Sequence, residues 1–204
     1  MTETTGNGPT PAELLDLRPQ AAEVARLARA VGEDRLTAPT CCPGMSVGTL
    51  LAHLEGLATA FRDAAHKDLG PTTDTPPDSA TPELGPDWRR TLPERLEELA
   101  LAWRAPEAWT GQTRAGGVPL PGQVAGLVAA DELVVHGWDL ARATGQPYTP
   151  DEAALAAAHG LLAGAAEDGG SLFGPPVPVP DGAPLLDRAI GLSGRDPHWT
   201  PTDG

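Results

Sequence analysis

Apolar residues recur at spacings of three and four along several long stretches of the chain, which is the pattern of amphipathic helices. Four such stretches, with long second and third connections, predict an all-α fold in which the helices form a four-helix bundle. The predicted helices cover residues 11–31, 46–67 and 87–104, and a fourth follows the segment 118–121 and ends at Gly145.

Proline and glycine divide the chain into three predicted parts. Residues 1–10 are polar and predict a disordered lead. Residues 11–169 contain the helix bundle, including a further helix that opens with Thr-Pro-Asp-Glu at 149–152. Residues 170–204 are rich in proline, which a long helix does not tolerate. They predict a C-terminal wrap with one short helix at 184–191.

The overall charge excludes some classes of partner. A net charge of −14 argues against binding to nucleic acid or to an anionic membrane surface. No run of about 18 apolar residues predicts a membrane span. The N-terminus lacks the basic-then-apolar pattern of a signal peptide, so a cytoplasmic location is expected. Cys41 and Cys42 are adjacent and bridge poorly, so we expect two free thiols that pack in a loop.

Two histidines and one glutamate are the candidate metal ligands. Glu132 and His136 are four residues apart, about one helical turn, and share a face with Val128 and Leu140. A charge on such an apolar stripe requires a partner or a metal. His53 faces inward from the second helix, and two histidines plus one carboxylate form a three-ligand set with an open position. This set suits Zn²⁺, and also Ni²⁺, Fe²⁺ or Mn²⁺. The alternative is a satisfied core histidine beside a solvated Glu132.

Two residues of the fourth helix are candidates for a supporting role. Asp139 follows His136 by three residues and is placed to orient its imidazole; the alternative is a surface carboxylate. Arg142 is a candidate to bind the carboxylate of a substrate or of a thiol cofactor. The alternative is that Arg142 interacts with the C-terminal end of its helix.

Two motif blocks carry a resemblance to a known family. Cys-Pro-Gly at 42–44 is followed by Ser-Val-Gly-Thr-Leu-Leu-Ala-His-Leu at 46–54, and His-Gly-Trp-Asp-Leu-Ala-Arg-Ala-Thr-Gly occupies 136–145. Together they resemble the DinB-like superfamily, in the branch that contains the N-terminal domain of mycothiol-dependent maleylpyruvate isomerase. Proline-rich residues 173–181, with 185–188 and 194–197, resemble the actinobacterial metal-binding proteins of that branch.

The resemblance implies a bundle with a Zn²⁺-like metal held by His53, Glu132 and His136. It also implies that relatives use the metal to bind a low-molecular-weight thiol. Two features depart from the pattern. Met45 stands where relatives often carry tryptophan, and only the short proline-rich segment stands in place of the isomerase's separate C-terminal domain.

Three functions are therefore open at the level of sequence. The first is a mycothiol-dependent transferase or isomerase, in which the metal activates the thiol for attack on a small electrophile. The second is a metal-binding or stress protein without catalysis. The third is a metal-dependent hydrolase that uses metal-bound water.

Overall fold

The computed structural model describes residues 14–76, 83–167 and 174–201. These residues form seven α-helices and one β-hairpin. The helices are α1 (Arg18–Arg29), α2 (Val47–His66), α3 (Pro71–Asp74), α4 (Trp88–Ala102), α5 (Gly122–Thr144), α6 (Glu152–Glu167) and α7 (Leu185–Leu192). The strands are β1 (Gln112–Ala115) and β2 (Val118–Pro121), which pair antiparallel.

Helices α1, α2, α4 and α5 form the bundle, which confirms the predicted fold class. Helix α4 packs against α1 and α2, and α5 packs against the same two helices. The bundle interior is apolar over most of its length. Its largest fully buried side chains on α2, α4 and α5 are leucines, at positions 50, 51, 54, 92, 96, 99, 133 and 140.

Helix α5 lies at the centre of the molecule. One side faces α1 and α2, and another side is covered by α6, which in turn packs against α7. The helix ends at Gly145, whose φ of 69° places it in the left-handed conformation that favours glycine at a helix end. No helix of the described residues is long and apolar enough to cross a membrane.

The segment before α2 is fixed by both backbone and side-chain hydrogen bonds. The Ser46 hydroxyl caps the helix by accepting a bond of 3.2 Å from the Thr49 amide, as predicted for an N-cap serine. The Val47 amide donates to the Ala38 carbonyl at 2.9 Å, and Pro39 and Ser46 form an isolated β-bridge. This closed loop carries Cys41 and Cys42 towards α5.

Several local predictions were wrong. Residues 14–17 are not helical, so α1 begins at Arg18, and the predicted start at residue 11 lies outside the described residues. Helix α6 is capped by Asp151, whose carboxylate accepts from the Ala154 amide at 2.9 Å, and not by Thr149. The β-hairpin and α3 both lie in stretches predicted to be irregular. The predicted disordered lead, residues 1–10, lies outside the described residues.

The last described residues are held in place by hydrogen bonds to α5. The Arg142 guanidinium donates to the Trp199 carbonyl at 2.8 and 3.1 Å and to the Pro197 carbonyl at 3.3 Å. These bonds fasten the segment after α7 to the C-terminal turns of α5. As a result, Arg195 enters the interior of the molecule.

Candidate metal centre

The structure brings the three predicted ligands together. His53 projects from α2, and Glu132 and His136 project from successive turns of α5. Their candidate ligand atoms all lie within 4.8 Å of one another. The two imidazole rings meet edge to face, with centroids 4.8 Å apart. Three donors from two helices therefore converge on one small volume.

Glu132 provides a test of whether a cation fits. Its Oε2 atom lies 3.0 Å from Nε2 of His136, yet this buried oxygen has no hydrogen-bond partner among the described residues. A buried carboxylate oxygen without a partner costs free energy. A divalent cation between these atoms would remove that cost, because imidazole nitrogen and carboxylate oxygen are the donors that such metals take. The residues fit a metal.

Asp139 orients the second histidine. Its Oδ2 accepts a hydrogen bond of 2.8 Å from Nδ1 of His136. With a proton on Nδ1, the opposite nitrogen, Nε2, is the one that faces Glu132. This carboxylate–histidine arrangement is the usual way in which proteins orient a metal-ligating imidazole. Asp139 is fully buried, so the alternative of a surface carboxylate is wrong.

The two histidines differ in their electrostatic surroundings. Burial lowers the pKa of His53, and the nearby His136 lowers it further, so His53 stays in the neutral form that binds metals. Burial also acts to lower the pKa of His136, but contacts with Asp139, Cys42 and Glu132 outweigh it and raise that pKa well above its usual value. The surroundings of His136 therefore favour a positive charge at this point.

Asp139 also accepts hydrogen bonds from three side chains that the sequence analysis did not assign to the site. The Cys41 and Cys42 thiols donate to its two oxygens, at 2.8 and 3.0 Å. The Arg195 guanidinium donates to the same oxygens at 3.3 and 3.0 Å. Burial acts to raise the pKa of Asp139, but the hydrogen bond from His136 and the charge of Arg195 outweigh it and hold that pKa well below its usual range. Both cysteines are free and lie in the loop before α2, as expected, and in addition they contact Asp139.

A weak sequence signal for these groups existed. A Cys-Cys pair precedes the first ligand helix, and Arg195 lies in the Gly-Arg-Asp-Pro stretch that contributes to the family resemblance. Arg195 is separated from Asp139 by 56 positions, so no local pattern links them. Only the folded chain places them together.

Asp131 is a second buried carboxyl group on α5. The helical periodicity places it on a different face from Glu132, and the structure buries it completely. Neither of its carboxylate oxygens has a hydrogen-bond partner among the described residues. Burial raises the pKa of Asp131 well above its usual value, and the neighbouring Glu132 raises it further. Asp131 therefore favours its neutral form.

The remaining candidates lie elsewhere. Arg142 stacks over the Trp138 ring, 5.6 Å from its centroid, and its guanidinium bonds to the C-terminal segment as described above. Its role in binding a thiol or substrate carboxylate stays a prediction. His66 is exposed at the end of α2, as expected. His159 is half-buried on α6.

Comparison with known proteins places the chain in a family. It matches the family model of the mycothiol maleylpyruvate isomerase N-terminal domain over residues 17–141. A crystal structure of the mycothiol-dependent maleylpyruvate isomerase has the same fold, with a TM-score of 0.59, 17% identity, and 80% of this chain and 76% of that chain covered. A histidine-to-alanine mutant of that enzyme, also 17% identical and with the same coverage, gives a TM-score of 0.52. No curated protein matches the sequence significantly. The family model spans more than half of the chain, and the chain therefore belongs to the family of the mycothiol maleylpyruvate isomerase N-terminal domain.

Proposed function

We propose that this protein holds a divalent metal, most simply Zn²⁺, through His53, Glu132 and His136, and that it uses the metal to bind mycothiol for transfer or isomerisation of a small electrophilic substrate. The observation that carries the proposal is the convergence, within 4.8 Å, of two imidazoles and a buried carboxylate oxygen that has no hydrogen bond among the described residues. The thiol is proposed from family membership, because the family and its solved relatives are named for mycothiol.

The metal, when bound, would lower the pKa of a thiol in its open position and so favour the nucleophilic thiolate. The protein's own residues hold the candidate metal ligands in position. Asp139 fixes the ring orientation of His136, and Arg195 fixes Asp139 in turn. The Glu132 side chain is 19% exposed, against 6% for His136, so Glu132 is the more accessible of these two ligands.

The test is a direct comparison of metal and thiol binding in wild type and His53→Ala. Purified, metal-loaded wild type is expected to bind about one Zn²⁺ at this site and to bind mycothiol, measured by metal analysis and calorimetry. Removal of one ligand should weaken metal binding by more than the roughly 10–100-fold typical of losing an outer partner. Mycothiol binding should fall with it.

A matched control is available on the same helix. His66→Ala removes an exposed imidazole from α2 and is expected to leave both affinities unchanged. Mycothiol binding that survives His53→Ala at full strength would contradict the proposal. Hydrolysis of an ester without added thiol, abolished by a chelator, would instead support the metal-dependent hydrolase.

A further inference from the structure

The vicinal cysteines form a second cluster of metal-binding atoms beside the candidate centre. Cys41 and Cys42 are the only two cysteines of the chain, and both are free and half-buried. Their sulfur atoms and a carboxylate oxygen of Asp139 all lie within 4.8 Å of one another. The two thiols approach the same carboxylate, one on each oxygen, so both point into one volume.

The hydrogen bonds of this cluster show how a divalent ion would enter it. Each thiol donates to one oxygen of Asp139, whose oxygens also accept from Arg195 and His136. A divalent ion that binds both sulfurs takes the place of the thiol protons, because sulfur binds a metal in its deprotonated form. The Arg195 Nη2 atom also lies 3.4 Å from the Cys42 sulfur, where it stabilises a thiolate ligand.

The cluster is distinct from the centre formed by His53, Glu132 and His136. Asp139 contacts Nδ1 of His136, whereas Glu132 lies at Nε2, on the opposite side of the ring. The imidazole therefore separates the two groups of donors. Their chemistry also differs, because two sulfur donors select thiophilic ions and the imidazole–carboxylate set does not.

From these observations we propose that Cys41, Cys42 and Asp139 form a second metal site, specific for a thiophilic divalent cation such as Cd²⁺ or Zn²⁺. The site uses none of the three ligands of the centre proposed above, and it shares with the thiol chemistry proposed there only Asp139, which orients His136. It gives a function to the two thiols, which that chemistry does not use.

The test is a titration of reduced, metal-free protein with Cd²⁺. Wild type is expected to bind two ions per chain and to develop the ultraviolet charge-transfer absorption of sulfur bound to cadmium. Saturation should protect both thiols from a maleimide. Cys41→Ser combined with Cys42→Ser should reduce binding to one ion and abolish the absorption band.

His53→Ala is the complementary variant, and it separates this proposal from the proposed function. It should lose one ion and keep the full band, because the sulfur site does not use His53. A band that disappears in His53→Ala would indicate one composite centre and would overturn the second site. Thiols that still react with the maleimide at saturating Cd²⁺ in wild type would also overturn it, and this measurement requires no variant to fold.

Discussion

Helices α4 and α5 show two different ways of contributing to one bundle. Helix α4 buries one face, centred on Leu92, Leu96 and Leu99, and its charged residues reach water. Helix α5 buries 16 of its 23 residues, because α6 covers the side that the bundle leaves open. Its buried residues include three ionisable ones, Asp131, His136 and Asp139.

The contrast explains where the chemistry of this molecule lies. A charge on α4 is solvated and contributes little, even when it forms an ion pair. A buried charged side chain on α5 requires a hydrogen-bond or ion-pair partner inside the protein. Each such pair fixes the position of the partner side chain. The candidate metal centre and the thiol cluster are both built around such charges.

The largest expected effect comes from removing a buried charge of α5. Asp139→Asn replaces an oxygen with an amide group that donates hydrogen bonds, in a position already surrounded by donors from His136, Cys42 and Arg195. It also removes the carboxylate charge that Arg195 contacts. The free energy of unfolding should fall by about 3–5 kcal/mol, measured by urea denaturation of metal-free protein.

The matched change on α4 is Glu94→Gln. It breaks an exposed ion pair with Arg90, whose atoms are 2.7 Å apart, and should alter the free energy of unfolding by less than about 1 kcal/mol. An Asp139→Asn protein as stable as Glu94→Gln would show that the buried pairing does not support the fold.

A smaller effect is expected from adding one methyl group to α5. At Gly126, a Cβ atom would lie 2.5 Å from the ring of Trp109 and 2.8 Å from that of Trp103, so Gly126→Ala should destabilise the protein by about 1–3 kcal/mol. Gly160 on α6 has nothing within 4 Å of its Cβ position. Gly160→Ala should therefore stabilise the protein by about 0.5–1 kcal/mol. Equal melting temperatures for the two variants would contradict this difference in packing.

The last expected effect concerns Asp131 and depends on pH. Since burial raises the pKa of this carboxyl, the folded protein holds its proton more tightly than the unfolded chain does. The stability that Asp131 contributes is therefore greatest below the pKa of the carboxyl in the unfolded chain, about 3.9. It is lost as the pH rises towards the pKa of the same carboxyl in the folded protein.

Asp131→Asn removes this dependence. Relative to wild type, the metal-free variant should gain unfolding free energy as the pH rises from about 4 to about 8. Denaturation curves at the two pH values measure the change. A wild type that gains stability relative to Asp131→Asn over this interval would have the opposite sign and would exclude a raised pKa.

Sequence periodicity predicts α4 well and α5 only in part. The stripes of α2 and α4, the Ser46 cap and the Gly145 end all follow from local rules. The hairpin was missed because two prolines in β2 argue against a strand, although the Gly-Gly pair at 116–117 is a hairpin turn signal.

The surroundings of the candidate site depend on contacts between distant parts of the chain. His53, Glu132 and His136 stand out as polar residues on apolar stripes, so their convergence was predictable. Arg195 does not stand out in this way, because its partner Asp139 lies 56 positions away in the sequence. The complete burial of Asp131 follows from the packing of α6 on α5. The sequence pattern of α5 alone does not predict this packing.

The pairing of Arg195 with Asp139 has a consequence for how fragments of this protein behave. The family match stops at residue 141, inside a buried helix and before its Gly145 end. A polypeptide trimmed to that boundary would lack Arg195 and would carry Asp139 two positions from a frayed terminus. Here the stretch recognised by homology is shorter than the packed structure, in which hydrogen bonds to α5 extend to Trp199.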